Sequence, residues 1–536
     1  MIILDCTLRD GGYYNNWDFD DQIVNAYLLA MANSGINVVE LGLRNFSQNG
    51  FFGAFAYTTE GFLNNITLPK GPKYGVMIDA KTIINSSLQT EEAINALFVP
   101  ANESKINVVR IAAHFREVEA SFDIAKQLKA LGYYVGFNLM QAGGKASAVI
   151  REKAKTIESW NMVDVLYFAD SLGNMDGKEV TRIVSALKAH WTGDLGIHTH
   201  DNMGRGLDNT LIAHSLGVEW IDSTVTGMGR GAGNTATEKL FAVFSRDSSL
   251  YHPKPIYDLV IRHFEKMQKE KGWGSNLLYF LGAQNNVHPT YIQNLLADPH
   301  YGPDEIVGAI DYLSGIEGTE SYNGETLNVA VNHNTKSIAI SGSEQLKGAF
   351  KDSEVLILNN GPSLAKYKGA IIDYIVSRRP IVLAVNFISV IPQQYVDYFC
   401  LTHNTKFLSE SGDYSSISKP IVLPKHRFHK SELVAFNTSC VDFGMEIRDG
   451  AFHANASYCS VPYDLTIAYA LALAYSADSR TISLVGVDGY EASDPRHLEM
   501  IDLLEKAQAL FASDSIAALT PTTYPIAQKS VYAPIE

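Results

Sequence analysis

The sequence predicts an α/β protein in three parts: a (β/α)8 barrel over residues 1–250, a helical extension over 251–340, and a Rossmann-like open α/β domain over 341–536. Three observations predict it. Eight short β-branched runs recur about 30 residues apart in the first half, each followed by enough chain for a helical return. That rhythm stops near residue 250, where long amphipathic stretches take over. Beyond a stretch of small polar residues near 333–343, a second set of apolar runs begins, again interleaved with helical sequence.

The barrel strands are expected, in order, at "IILDCT", "NVVELGL", "KYGVMID", "INVVRIAA", "YVGFNLM", "VDVLYFAD", "LGIHTH" and "WIDSTVTG". Intervening segments such as "DIAKQLKALG" and "EVTRIVSALKAH" have helical periodicity, and strands joined through helices run parallel. An open doubly wound sheet is the alternative, but eight units favour closure. "IYDLVIRHFEKMQKEKG", "HPTYIQNLL" and "PDEIVGAIDYLSGI" supply the helical extension. In the last part, strands are expected at "SEVLILNNGPSL", "RPIVLAVNF", "DYFCLTH", "ELVAFNT" and "TISLVGVDGY". Helices are expected at "YDLTIAYALALAYSA" and "PRHLEMIDLLEKAQALF".

The net charge of -15 would repel nucleic acid or an anionic membrane, so neither is expected as a partner. Cys6, Cys400, Cys440 and Cys459 show no CxxC spacing, which argues for reduced thiols without a zinc ribbon or disulfides. No basic-then-apolar leader precedes the first strand, and apolar stretches such as "IAYALALAY" are too short to span a bilayer. A cytoplasmic enzyme is expected.

Catalytic groups of a (β/α)8 barrel sit where its strands end. Those ends carry Arg9 and Asp10, Glu40 and Arg44, Asp79, Arg110 and His114, Asn138 and Gln141, Asp170 and Ser171, His198 and His200, and Thr226. In "GIHTHDNMG" the two histidines are two apart on a strand, so they project from one face. Two imidazoles and one carboxylate make a facial metal site with open positions, and Asp10 on the first strand is the natural carboxylate. The glycine-rich "TGMGRGAGN" lacks the spacing of a dinucleotide loop after a first strand.

"DCTLRDGG" resembles the D-x-T-x-R-D-G signature of the DRE-TIM metallolyases, TIM-barrel enzymes that include 3-hydroxy-3-methylglutaryl-CoA lyase, isopropylmalate synthase and 4-hydroxy-2-oxovalerate aldolase. "HTHDNMG" and "GMGRGAGNTATE" are similar to that family's H-x-H-[DN]-x-x-G and glycine-rich segments, in the same order, so the resemblance covers about residues 1–245. It implies a divalent metal (Mn2+ or Mg2+, with Zn2+ or Co2+ also compatible) on Asp10, His198 and His200, with Asn234 as a further ligand. Arg9 would then hydrogen-bond the oxygen that turns negative as a 2-oxo acid enolises, and Gly11 and Gly12 would let the backbone turn and the substrate approach.

Where pyruvate aldolases of this family carry their acid/base histidine, this chain has Tyr13. Tyr13 and His288, in "NNVHPTYIQ", are therefore the catalytic candidates beside Arg9. Glu40, Arg44, Arg110, Asn138, Asp170, Ser171 and Thr226 are expected to bind substrate, with rim ion pairs as the alternative for the charged ones. The chain carries no regulatory domain of the isopropylmalate synthase kind, which favours aldol chemistry on pyruvate over Claisen condensation of an acyl-CoA. Related barrels commonly dimerise, so a homodimer is expected.

"VLILNNGPSL" sets a tight turn between a strand and a helix and resembles the "GNGPSL" opening of bacterial sialyltransferases, which bind CMP-sugars. By that resemblance Asn360, Gly361, Ser363 and Asn386 would face a nucleotide sugar; a turn that merely closes a corner is the alternative. The whole then reads as an aldolase joining a 2-oxo acid to an aldehyde or sugar for a surface polysaccharide. The rival reading puts the activity in the C-terminal domain, as a nucleotide-sugar-dependent transferase.

Overall fold

The computed structural model describes residues 1–246, 248–298, 301, 303–332, 340–403, 415–428, 433–434, 436–491, 494–511 and 515–533. The chain divides into two compact units, one of residues 1–293 and 317–322, the other of 294–316 and 323–536. The helices after residue 250 are thus shared between the two.

In the first unit, β1 (Ile2–Asp5), β2 (Val38–Leu43), β3 (Lys73–Asp79), β4 (Val108–His114), β5 (Tyr134–Met140), β6 (Val165–Asp170), β7 (Asp194–Thr199) and β8 (Trp220–Ser223) form a closed barrel in sequence order. All pairs are parallel, and β8 closes on β1 with Leu4 opposite Asp222. All eight strands lie on the runs expected for them. Helices such as Phe122–Ala130 and Gly177–Lys188 return the chain with one buried face, as their 3.6-residue periodicity requires.

Inside the barrel, below the mouth, the strands are filled by Leu4, Val38, Val108, Val165, Tyr167 and Trp220, with Cys6, just past the end of β1, packed against them. The Tyr134 and Trp220 rings stack there at 5.3 Å. Two residues further along β2, β4 and β8 stand Glu40, Arg110 and Asp222, so a charged layer lies directly on an apolar floor. The mouth lies beyond it.

The second unit is built on an open sheet of eight parallel strands: β9 (Glu354–Leu358), β10 (Ile381–Val385), β11 (Tyr398–Cys400), β12 (Ile421–Leu423), β13 (Cys440–Asp442), β17 (Thr481–Val485), β18 (Ile516–Ala518) and β19 (Ala527–Gln528). Their spatial order is β13-β12-β11-β10-β9-β17-β18-β19, so chain direction across the sheet reverses between β9 and β17. A small second sheet orders as β14 (Gly444–Ile447), β16 (Tyr458–Val461), β15 (His453–Ala454). The helix Thr466–Ser476 is buried almost all round, which is why its sequence is apolar without a polar face.

"ELVAFNT" forms no strand among its described residues; the neighbouring strands are the short β12, after Pro420, and β13, beginning at Cys440. Three-residue strands leave too short a run to stand out in sequence. Among the described residues, no helix is long and apolar enough to cross a membrane.

Candidate functional site

The first strand stops at Asp5, and the chain then turns through a short helical segment, Thr7–Asp10. Asp5 builds that turn. Its buried carboxylate accepts from the backbone N–H of Thr7 at 2.9 Å and from the hydroxyls of Thr7, Tyr27 and Thr237. The two glycines after the turn are needed for room rather than for a left-handed backbone. A Cβ on Gly12 would come within 2.1 Å of the Trp17 indole, and one on Gly11 within 2.7 Å of Met228. Trp17 Nε1 in turn donates to the Arg9 carbonyl at 2.7 Å, fixing Arg9 and Asp10 at the mouth.

Around this turn runs a chain of buried charges. Arg9 Nη1 donates to Asp10 Oδ1 at 2.7 Å and Arg9 Nε to Glu40 Oε2 at 2.8 Å. Glu40 also takes Arg110 Nε and Nη2, each at 2.7 Å, and Arg110 Nη1 reaches Asp222 Oδ2 at 2.6 Å. Asp222 Oδ2 lies 2.9 Å from His198 Nδ1. The opposite nitrogen, His198 Nε2, lies 3.7 Å from Asp10 Oδ2, which brings the path back to Asp10. Burial opposes every charge in it. The guanidiniums prevail over burial and hold the carboxyls of Asp10, Glu40 and Asp222 below their ordinary range.

Asp10, His198 and His200 each offer one ligand atom, all within 4.8 Å of one another. The His198 and His200 rings stand 5.1 Å apart and nearly perpendicular. Burial pulls His200 down to about 3, against the pull of Asp10, so its ring is neutral and able to ligate. His200 Nδ1, Asn234 Oδ1, Asn138 Oδ1 and Arg9 Nη2 are buried with no hydrogen-bond partner, while the Asn234 amide donates to Asp10 Oδ2. Unpaired buried polar atoms are costly, and four at one mouth mark a place for a ligand. Two imidazole nitrogens, a carboxylate oxygen and an amide oxygen suit a divalent cation of the Mn2+, Mg2+, Zn2+ or Co2+ type.

A cavity of about 930 Å3 opens over these groups. It brings together Arg9, Asp10, Tyr13, Asn138, Ser171, His198, His200 and His288, with Asp79, His114 and Arg230. Other expected site residues lie elsewhere. Arg110 is fully buried in the charged layer below the mouth and Glu40 beside it, so both hold other side chains. Arg44 lies outside the lining, paired with Glu60 at 2.5 Å and set 5.1 Å over the Phe98 ring. A register shift in β2 between Glu40 and Gly42 reverses the facing of the residues after it, so Leu43 and Asn45 line the cavity instead.

Asp170 is spent on its own loop, accepting the N–H groups of Asn174 and Met175. Thr226, at φ +53, donates its hydroxyl to the Val225 carbonyl and takes no part in the lining. Tyr14 also turns away, donating to the Gly231 carbonyl at 2.7 Å.

His288 is supplied by the helical segment after the barrel. Its Nδ1 accepts from Thr290 N–H at 3.3 Å, and burial, aided by the charge of Arg230, lowers its pKa to about 3. Sequence reasoning missed Asp222, visible only as a lone carboxylate in the apolar strand "WIDS", and Arg230, the one charged residue inside the glycine-rich loop.

In the second unit a cavity of about 740 Å3 lies at the carboxyl ends of β9, β10 and β17. Asn360, Gly361 and Asn386 line it, with Asp488 and Tyr490. Ser363 does not: its hydroxyl donates to Thr520 at 3.0 Å and its N–H to Asp488 at 3.1 Å. Gly361 is obligatory, since a Cβ there would meet Asp488 Oδ2 at 2.0 Å and the Gly486 carbonyl at 2.3 Å.

A closed parallel barrel with a two-histidine, one-carboxylate cluster and an arginine at its carboxyl mouth has the makings of a metal-dependent enzyme. Residues 1–254 match the HMGL-like family. The chain is 32% identical over 251 residues to a 4-hydroxy-2-oxovalerate aldolase of Pelotomaculum thermopropionicum, covering 46% of this chain and 70% of that protein. With that of Chloroflexus aggregans the identity is 33% over 252 residues, covering 46% and 69%. A solved N-terminal domain of a candidate aldolase from Bacteroides vulgatus matches with a TM-score of 0.51 and 32% identity, over 55% of this chain and 97% of that one. The chain therefore belongs to the HMGL-like family of DRE-TIM metallolyases: its barrel is a carbon–carbon lyase of a divalent-metal-dependent class.

Proposed function

We propose that the barrel makes or breaks a carbon–carbon bond beside the carbonyl of pyruvate or a related 2-oxo acid. Asp10, His198, His200 and the Asn234 amide oxygen would hold Mn2+ or Mg2+. When bound, the ion supplies Lewis-acid polarisation of the 2-oxo group. The observation that carries the reading is the grouping of that donor set with Arg9, whose Nη2 alone is uncommitted while Nε and Nη1 are locked by Glu40 and Asp10. A donor so fixed needs no reorganisation to stabilise charge on the oxygen of the forming enolate.

Asn138, with its amide oxygen unpaired, and Ser171 border the substrate. With Nδ1 of His288 taking the Thr290 N–H, the neutral ring carries its proton on Nε2 and donates from there to the aldehyde oxygen. The Tyr13 hydroxyl, which both donates and accepts, would relay the proton of the 4-hydroxyl in cleavage, accepting it while passing its own phenolic proton to water in the cavity, and would run the same relay in reverse in condensation.

The second unit is read as the holder of an activated sugar. Supporting this, its cavity sits where strand order reverses, the usual ligand position of an open parallel sheet, with Asn360, Gly361 and Asn386 on its wall. Ser363 would serve only by shaping the turn. The pair of sites then suits extension of a sugar for a surface polysaccharide.

The test of the barrel reading is loss of the pyruvate methyl proton signal in D2O with Mn2+ or Mg2+. Exchange that needs metal and drops at least 100-fold in Arg9→Ala and His200→Ala is expected. Metal-loaded protein that exchanges no pyruvate protons would sink the pyruvate reading and turn attention to acyl-CoA donors.

A further inference from the structure

Arg230 lies inside the glycine-rich loop between β8 and the helix Thr237–Phe244, and its side chain lines the barrel cavity. Its backbone is held firmly. Asn202 Oδ1 accepts the Ala232 N–H at 2.8 Å, the Tyr14 hydroxyl donates to the Gly231 carbonyl, and Gln293 bridges Gly231 N–H and the Tyr13 carbonyl. The loop presses on the candidate metal carboxylate, since a Cβ on Gly229 would lie 2.8 Å from Asp10 Oδ2. The guanidinium is set 4.0 Å over the Tyr13 ring.

Arg9, Arg44 and Arg110 are all committed to carboxylates; among the described residues Arg230 has neither an ion pair nor a side-chain hydrogen bond. It is a preorganised, half-buried cation facing a ligand space with its donors free.

The 2-oxo acid already has its partners in Arg9 Nη2 and the metal donor set. A three-carbon acid would leave most of the 930 Å3 cavity open, and its outer wall carries Asn45, Ser47, Gln48, Ser86 and Ser87. Amides and hydroxyls of that kind suit a polyhydroxylated partner, and a half-buried guanidinium with free donors suits an oxyanion; Lys81 and Arg116 also line the cavity but are exposed, so neither is held in place as Arg230 is.

We propose that Arg230 binds a carboxylate or phosphate carried by the aldehyde partner, so that the barrel's acceptor is an acidic or phosphorylated hydroxyaldehyde rather than a short neutral one. The proposal rests on the oxo-acid aldolase reading. In condensation the methyl group of the oxo acid loses a proton, its carbon bonds the aldehyde carbon, and the aldehyde oxygen gains a proton. Arg230 changes no bond; it anchors the far end of the acceptor.

The experiment uses the Mn2+-loaded chain of both units. Pyruvate is condensed with D-glyceraldehyde 3-phosphate or succinic semialdehyde, as phosphate and carboxylate probes, and with neutral D-glyceraldehyde and butanal. The wild type is expected to favour an anionic aldehyde over its neutral counterpart. That ratio of kcat/KM values falls about 10- to 100-fold in Arg230→Gln and is partly kept in Arg230→Lys. No preference in the wild type, or an equal fall for anionic and neutral aldehydes, overturns the proposal. So does an effect confined to the KM for pyruvate in the proton-exchange assay, which would give the guanidinium to the donor acid.

Calorimetric titration with sn-glycerol 3-phosphate and with succinate separates this from the aldolase reading. Binding that is lost in Arg230→Gln in a protein without pyruvate exchange keeps the anion site and fails the aldolase reading. Exchange with neither anion bound fails the site alone.

Discussion

His198 has two ring nitrogens with separate duties. Asp222 takes Nδ1–H, which fixes the tautomer and leaves the Nε2 lone pair toward Asp10. Arg110 neutralises Asp222 and in the same stroke holds Glu40 against Arg9. The candidate metal donor and the arginine thus share one support. Asp222→Asn is expected to lower Mn2+ affinity about 10- to 100-fold, measured by titration with paramagnetic resonance of the free ion. An unchanged affinity would mean that His198 is oriented without Asp222. Part of this support was legible in the sequence: Glu40 and Arg110 stood out as charged strand residues with ion pairing as the alternative to substrate binding, whereas Asp222 was missed. Motif spacing points to candidate ligand contacts, whereas Asp222, Glu40 and Arg110 act through other side chains, and a charge one to four residues short of the strand end reads in sequence like one at the mouth.

The barrel strands themselves were legible because each is a β-branched run followed by an amphipathic return, a pattern local to about 30 residues. Their facing was legible only where the strand is regular. His198 and His200 share a face as alternation requires, but the shift after Glu40 sends Arg44 outward, and only Gly42 in "VVELGLR" hints at it. The turn after β1 carries a packing constraint. Gly12→Ala would drive a Cβ into the Trp17 indole that holds the Arg9 carbonyl. The variant is expected to lose about 1–3 kcal/mol of stability in denaturant titration, with a fall in pyruvate exchange beyond that loss.

The loop after β6 carries a pH signature. Burial raises Asp170 to about 7 despite its backbone hydrogen bonds. Between the ordinary carboxylate pKa near 4 and that value, the folded state binds the proton and the unfolded state does not. Its contribution to stability is then full below about pH 4 and falls by up to ~1.4 kcal/mol per pH unit toward pH 7. Asp170→Asn is expected to flatten that slope in thermal melts between pH 5 and 7; an unaltered slope would place the titrating group elsewhere.

The two units have separate interiors. One core wraps the barrel strands inside their helices, and two others lie on the faces of the open sheet, among them the cluster around the helix Thr466–Ser476. Units with their own cores are expected to unfold in separate steps, and a ligand stabilises only the step that destroys its site. Calorimetric scans of the full chain should therefore show two transitions. Mn2+ at about 100 times its Kd should raise one of them by roughly 2.7 kcal/mol of added stability, a shift of a few degrees for a unit of this size. His200→Ala should abolish that shift and leave the other transition in place, because His200 belongs to the barrel unit alone. CMP, offered as the nucleotide part of a CMP-sugar, should raise the second transition, and Asn360→Ala should cancel the effect. A single transition that moves with either ligand would mean that the units unfold as one. A second transition indifferent to CMP would leave the open-sheet cavity to a ligand of another kind, because a site that binds the folded unit cannot leave its melting unmoved.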